Sequence, residues 1–115
     1  MTVRMVRDRL PRAELTSMAR AQFGDMIKAV VDVERRVMAV GAELHADEEA
    51  ALLDDGSRQE HLWGINIYPE AGGEEWIEFD SVINLRPSLG NRTRGVESES
   101  LRGAIRELVA RLVEG

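Results

Sequence analysis

Leu62-Trp63-Gly64-Ile65-Asn66-Ile67-Tyr68, closed by Pro69, is the stretch on which the reading of this chain turns. Its β-branched and aromatic residues favour a strand, Ala71-Gly72-Gly73 favours a turn, and a second apolar run follows from about Glu75 to Arg86. The pattern predicts a β-hairpin. Side chains alternate along a strand, which puts Trp63, Ile65 and Ile67 on one face and Ile77, Phe79, Ile83 and Leu85 on one face of the partner. The opposite faces then carry Asn66 and Tyr68 from one strand, and Asp80, Asn84 and Arg86 from the other.

The apolar face needs a cover, and two segments are patterned to supply it. Pro11 opens a helix over 11–23, with Leu15, Met18, Ala19, Gln22 and Phe23 along one side and Gly24 as its stop. Ser98 caps a second helix, in which Leu101, Ile105, Leu108, Val109 and Leu112 form an apolar stripe. Between them, Met26 to Val33 and Val37 to Leu44 form a first hairpin around Glu34-Arg35-Arg36, with Gly41 marking a bulge or a close approach. Ala46 to Leu53 reads as a short helix stopped by Asp54-Asp55-Gly56-Ser57, and Val3 to Val6 as a short strand. The expected fold is α+β: a two-layer sandwich of about four mainly antiparallel strands, with two long amphipathic helices on one face and one short helix. A chain of 115 residues is expected to form one domain, residues 1–115.

Composition narrows the function classes. The 43% hydrophobic and 31% charged content is that of a globular chain rather than a disordered one. With only Phe23, Phe79, Trp63, Trp76 and Tyr68 aromatic and a net charge of -6, nucleic acid is an unlikely partner. The absence of cysteine excludes thiol chemistry and cysteine-held metals. No apolar run spans a bilayer and the first residues lack a signal-peptide core, so a cytoplasmic location is expected.

The candidate chemistry gathers in Ile83-Asn84-Leu85-Arg86-Pro87-Ser88-Leu89-Gly90-Asn91-Arg92-Thr93-Arg94. An arginine fork can hold a carboxylate or phosphate, and Gly-Asn permits a backbone turn that aims N–H groups at an anion. Arg86, Asn91 and Arg92, with Asn66 and Asn84 beneath them on the polar sheet face, are therefore expected to bind a small anionic ligand or acidic group. The same pattern also suits a solvated face with a plain turn. A second set is Glu43, His45 and Asp47, which share one side if that segment is extended and would serve acid-base catalysis with His45 as base. No metal site and no cofactor is expected, since His61 is the only other histidine and no HExxH pairing occurs.

Gly41-Ala42-Glu43-Leu44-His45-Ala46-Asp47, Leu53-Asp54-Asp55-Gly56-Ser57, Leu62-Trp63-Gly64-Ile65-Asn66 and Ile83-Asn84-Leu85-Arg86-Pro87 with Gly90-Asn91-Arg92 resemble, in this order, a family of small prokaryotic proteins known only as a domain of unknown function. The resemblance covers nearly the whole chain. The family pattern has Gly-Gly in place of Gly41-Ala42 and an apolar residue in place of Arg94, which favours Arg86 and Arg92 over Arg94 as binding residues. It implies a shared fold and no particular activity. Three expectations of function stand: small-anion binding, a non-catalytic protein-interaction or regulatory module that can be a homodimer, and a small enzyme using His45.

Overall fold

A computed structural model describes residues 3–115, and the chain forms an α+β sandwich with a mainly antiparallel sheet. The elements are β1 (Arg4–Val6), β2 (Leu10–Pro11), α1 (Arg12–Gln22), β3 (Ile27–Asp32), β4 (Val37–Val40), α2 (His45–Asp54), β5 (Leu62–Ile67), β6 (Ile77–Glu78), α3 (Glu99–Leu112) and β7 (Val113–Glu114). The main sheet runs β1-β4-β3-β5-β6 with every neighbour antiparallel. A two-residue parallel pair of β2 and β7 ties the start of α1 to the end of α3.

Strand alternation divides the sheet into two unlike faces. On one, Leu15 and Ala19 of α1 and Ile105, Leu108, Val109 and Leu112 of α3 pack onto Ile27, Ala29, Val31, Ile65 and Ile67. Burial of such a side chain is worth about 1.5–3 kcal/mol, so this layer carries most of the hydrophobic driving force. The other face is smaller. There Leu52 of α2 packs on Val30, Val37, Ala39 and Leu62, with Met5 and Ile83 at its margin.

The fourth strand is far shorter than the alternation from Glu75 to Arg86 implies. Only Ile77–Glu78 pairs with β5, after which the chain turns through short 3-10 segments at Val82–Asn84 and Pro87–Leu89. Ile83 therefore packs with the α2 side rather than with Ile77, and Leu85 is exposed. Alternation misleads here because the chain lifts off the sheet at Asp80-Ser81 and crosses Gly64. A Cβ at Gly64 would stand 2.6 Å from both Cβ and Oγ of Ser81, so only glycine admits that crossing. The polar sheet face is covered by α2 and by the Val82–Asn84 segment.

At the far end of this face Asp32 is fully buried and fully used. Its Oδ1 accepts the backbone N–H groups of Glu34 and Arg35, each at 2.9 Å, and its Oδ2 accepts the Ser57 hydroxyl at 2.6 Å. Arg35 donates to Ser57 Oγ at 2.7 Å and to Asp55 at 2.8 Å, while Arg7 grips both Asp55 oxygens at 2.8 Å. Asp54-Asp55-Gly56-Ser57 thus ends α2, as its composition predicts, and also fastens it to the β3–β4 turn.

Candidate functional site

The residues of the Ile83–Arg94 loop that looked most like ligand donors are largely turned inward. Asn84 is wholly buried: its Oδ1 accepts Gly64 N–H at 2.8 Å, and its Nδ2 donates to the carbonyls of Gly64 at 3.0 Å and Arg94 at 2.9 Å. Arg86 donates to the carbonyls of Ile83, Gln59 and Leu62 and lies over the Trp63 ring. Asn91, also buried, donates to the carbonyls of Asn84, Thr93 and Gly95 and accepts Glu97 N–H at 2.9 Å. These side chains hold the loop in shape, and Gly90 supplies its left-handed residue at φ +84°. Arg92 alone among the expected arginines points to solvent, with its backbone N–H on Glu97.

The second expected set comes apart. Glu43 is exposed in the bend before α2, whereas His45 is buried as the first residue of that helix, and Asp47 follows two positions on. Two residues along a helix turn the side chain about 200° around the axis, so the alternation of an extended chain does not apply. The acid on the His45 side is Glu48, one turn later and fully buried. Its Oε2 accepts Ala42 N–H at 3.1 Å and its Oε1 has no partner among the described residues. Burial pushes this carboxyl up to about 9, so it is protonated at neutral pH. Its position three residues after His45 was readable in the sequence, but only once the helix start was fixed at His45.

What the fold does bring together is His45 and Asn66. Asn66 opposes Lys28 across β3–β5 and Glu78 across β5–β6. Its Nδ2 donates to Glu78 Oε1 at 2.8 Å and to Asp80 O at 3.3 Å, which leaves its buried Oδ1 without a partner. His45 Nε2 lies 2.8 Å from Ile65 O; a carbonyl only accepts, so Nε2 carries the proton. Burial lowers the His45 pKa and Lys28 adds to the effect, against the opposing pull of the Ile65 carbonyl, Asp80 and Asn66. The ring is therefore neutral at pH 7, with its lone pair on Nδ1.

In front of His45 lies a pocket of about 200 Å³, lined by Lys28, Leu44, His45, Ala46, Ser81, Val82, Ile83 and Arg94. No side chain lining it is acidic. Leu44 occupies the N-cap position of α2 and offers no side-chain oxygen, so the first N–H groups of the helix have no cap. Arg94 at the rim is paired with Asp80 at 2.7 Å, whereas Lys28, whose ammonium lies 5.4 Å from the Phe23 ring centre, has no ion pair with any described residue. Leu44 and Val82 flank the mouth with 56% and 61% of their surface exposed. Lys28, Ser81 and the uncapped helix were not singled out in the sequence, because strand register alone joins them. Among the described residues no group of three or more histidine, aspartate or glutamate side chains is placed to hold a metal ion.

Compared with known proteins, the chain matches no curated protein and no solved structure. A family model described as "Protein of unknown function (DUF5674)" matches from residue 4 to residue 112. That span takes in every main-sheet strand and all three α-helices, and the chain therefore belongs to the DUF5674 family.

Proposed function

We propose that this protein binds a small organic anion, a carboxylate with a short apolar part, in the pocket at the N-terminus of α2. The observation that carries the reading is the lining: Lys28, Arg94 and the start of α2, which has no side-chain cap, meet there, while the first-turn acids Asp47 and Glu48 are not part of the lining. A carboxylate at this position would accept from the helix N–H groups and face the Lys28 ammonium. Leu44, Val82 and Ile83 would shelter its apolar part. Asn66 enters from behind, through His45, and Arg92 lies outside the site. The expected anion chemistry is thus kept, with Lys28 and the helix terminus in place of Arg86 and Asn91. A cytoplasmic location and a prokaryotic source go with this proposal and rest on the sequence reading alone.

A thermal-shift titration with acetate, butyrate and succinate, alongside sulfate, tests it. A ligand at about 100 times its dissociation constant adds about 2.7 kcal/mol of stability. Butyrate or succinate is expected to raise the melting temperature of the wild type more than sulfate does, and the rise is expected to vanish in Lys28→Gln. An equal rise in the variant, or no rise with any carboxylate, would sink the reading. One observation favours an interaction surface instead: Leu85 and Leu89 are also exposed, at 45% and 53%, on the loop that runs past the pocket. A chain indifferent to carboxylates that self-associates on concentration would fit that second reading.

A further inference from the structure

A second concave site lies well apart in sequence from the α2 pocket. The β1–β2 loop, the β3–β4 turn and the last turn of α3 enclose a cleft of about 350 Å³, within the usual size range of small-ligand sites. Arg7, Arg9, Arg35, Arg36 and Arg111 line it, with Asp8 as the single acid of the lining. Arg7 and Arg35 are fixed by Asp55, at 2.8 Å each. Arg9 reaches Glu114 at 3.3 Å in a pair more than half exposed, which water and salt screen heavily. Arg36 and Arg111 have no ion pair or side-chain hydrogen bond with any described residue. Arg7, Arg9 and Arg35 are thus ion-paired, Asp8 lines the cleft and Glu107 shares an adjoining groove with Arg36, so the positive excess is carried by Arg36 and Arg111.

Arg36 adds a backbone observation. It is the one described residue other than glycine with positive φ, at +61°, held by its N–H on Asp32 O at 2.8 Å. A left-handed arginine is strained where glycine would not be. The turn nevertheless carries an arginine, and that residue lines the cleft.

We propose that this cleft binds a small phosphate-bearing molecule, with Arg36 and Arg111 as the ligand-facing cations and Arg7 and Arg35 as donors held in position by Asp55. Guanidinium forks arrive from three separate stretches of chain. A tetrahedral, multiply charged group offers acceptors in all three directions and more charge to answer than a planar monocarboxylate does. A small ligand suits the cleft better than a nucleic acid backbone, because the net charge of -6 repels an extended polyanion while leaving a local basic site effective. The α3 C-terminus opposes an anion through its dipole, and Arg111 in that last turn offsets it.

Isothermal titration calorimetry of the whole chain with inorganic pyrophosphate, in about 0.15 M salt so that diffuse attraction is screened, tests this. One ion is expected to bind per chain, and to bind about tenfold or more weakly in Arg36→Gly and in Arg111→Gln, a loss of about 1.4 kcal/mol or more. Arg36→Gly relieves the left-handed strain, so its unliganded melting temperature should equal or exceed that of the wild type, and lost binding is then not lost folding. Lys28→Gln in the α2 pocket should leave pyrophosphate binding unchanged. Absence of pyrophosphate binding, undiminished binding in Arg36→Gly, or tighter binding of a short single-stranded oligonucleotide than of pyrophosphate would overturn the proposal.

Discussion

Ile65 and Asn66 are neighbours in β5 and are both buried, yet they belong to differently built halves of the molecule. Ile65 faces α1 and α3 in a continuous apolar layer, where any side chain of suitable volume contributes by leaving water. Asn66 faces the α2 side, where Asp32, Glu48, Asn84 and Asn91 are also buried and each contributes only through particular hydrogen bonds. One face tolerates imprecision and the other does not. The α2 pocket opens on the second face, and the arginine cleft lies where the β3–β4 turn meets the end of α3.

Substitutions on each face measure that difference. The largest loss is expected from Ile105→Ala in the apolar layer, at roughly 3–4 kcal/mol in denaturant titration. Ile105→Val or Ile105→Leu should recover most of it, and failure to recover would mean that this face too is precisely fitted. Asn84→Ala comes next at roughly 2–3 kcal/mol, because it leaves Gly64 N–H and Gly64 C=O without partners and takes from the Arg94 carbonyl one of its two donors, the other being Ser81 N–H. Here the near-isosteric Asn84→Leu should rescue nothing, and a rescue would erase the contrast.

The smallest effect at low pH, and one that grows as pH rises, is expected at Glu48. Its carboxyl is raised from 4.5 to about 9 in the folded chain, so the folded state keeps a proton that the unfolded state releases across that range. This contribution to stability is full below pH 4.5 and is lost as pH rises toward 9. Glu48→Gln should stay within about 1 kcal/mol of wild type near the acid end and become progressively more stable than it toward pH 9, as read from melting temperatures across the range. Parallel curves for the two proteins would mean that Glu48 ionises freely. His45 has the opposite sign: its pKa is lowered, so its contribution is lost as pH falls below 6.5.

The contrast also explains what could be read from the sequence. The helices were legible because Leu15 and Ala19, and then Ile105, Leu108, Val109 and Leu112, repeat at helical spacing for a single apolar reason. So was the inward set Trp63, Ile65 and Ile67. On the other face, pattern failed where side chains replace backbone. Ile77, Phe79, Ile83 and Leu85 keep a strand's alternation through a segment that pairs only at Ile77–Glu78. His45 and Asn66 were legible as chemistry, but Lys28 joins them only through the register that sets it opposite Asn66. Arg35 and Arg36 were visible as a turn, and Arg4, Arg7, Arg9 and Arg12 stand in the N-terminal sequence against Asp8 alone. Nothing in the sequence shows that Arg111 meets them.

The Asn84 and Arg86 side chains have a meaning for the edge of the sheet. Where β6 stops, β5 would present a bare edge to any passing strand, the commonest seed of uncontrolled sheet growth. The Asn84 carboxamide pairs with both polar backbone groups of Gly64, and the Arg86 guanidinium covers the carbonyl of Leu62. Two side chains spaced as Asn-x-Arg thereby imitate a missing strand beside Gly64 and Leu62, where β6 no longer pairs with β5.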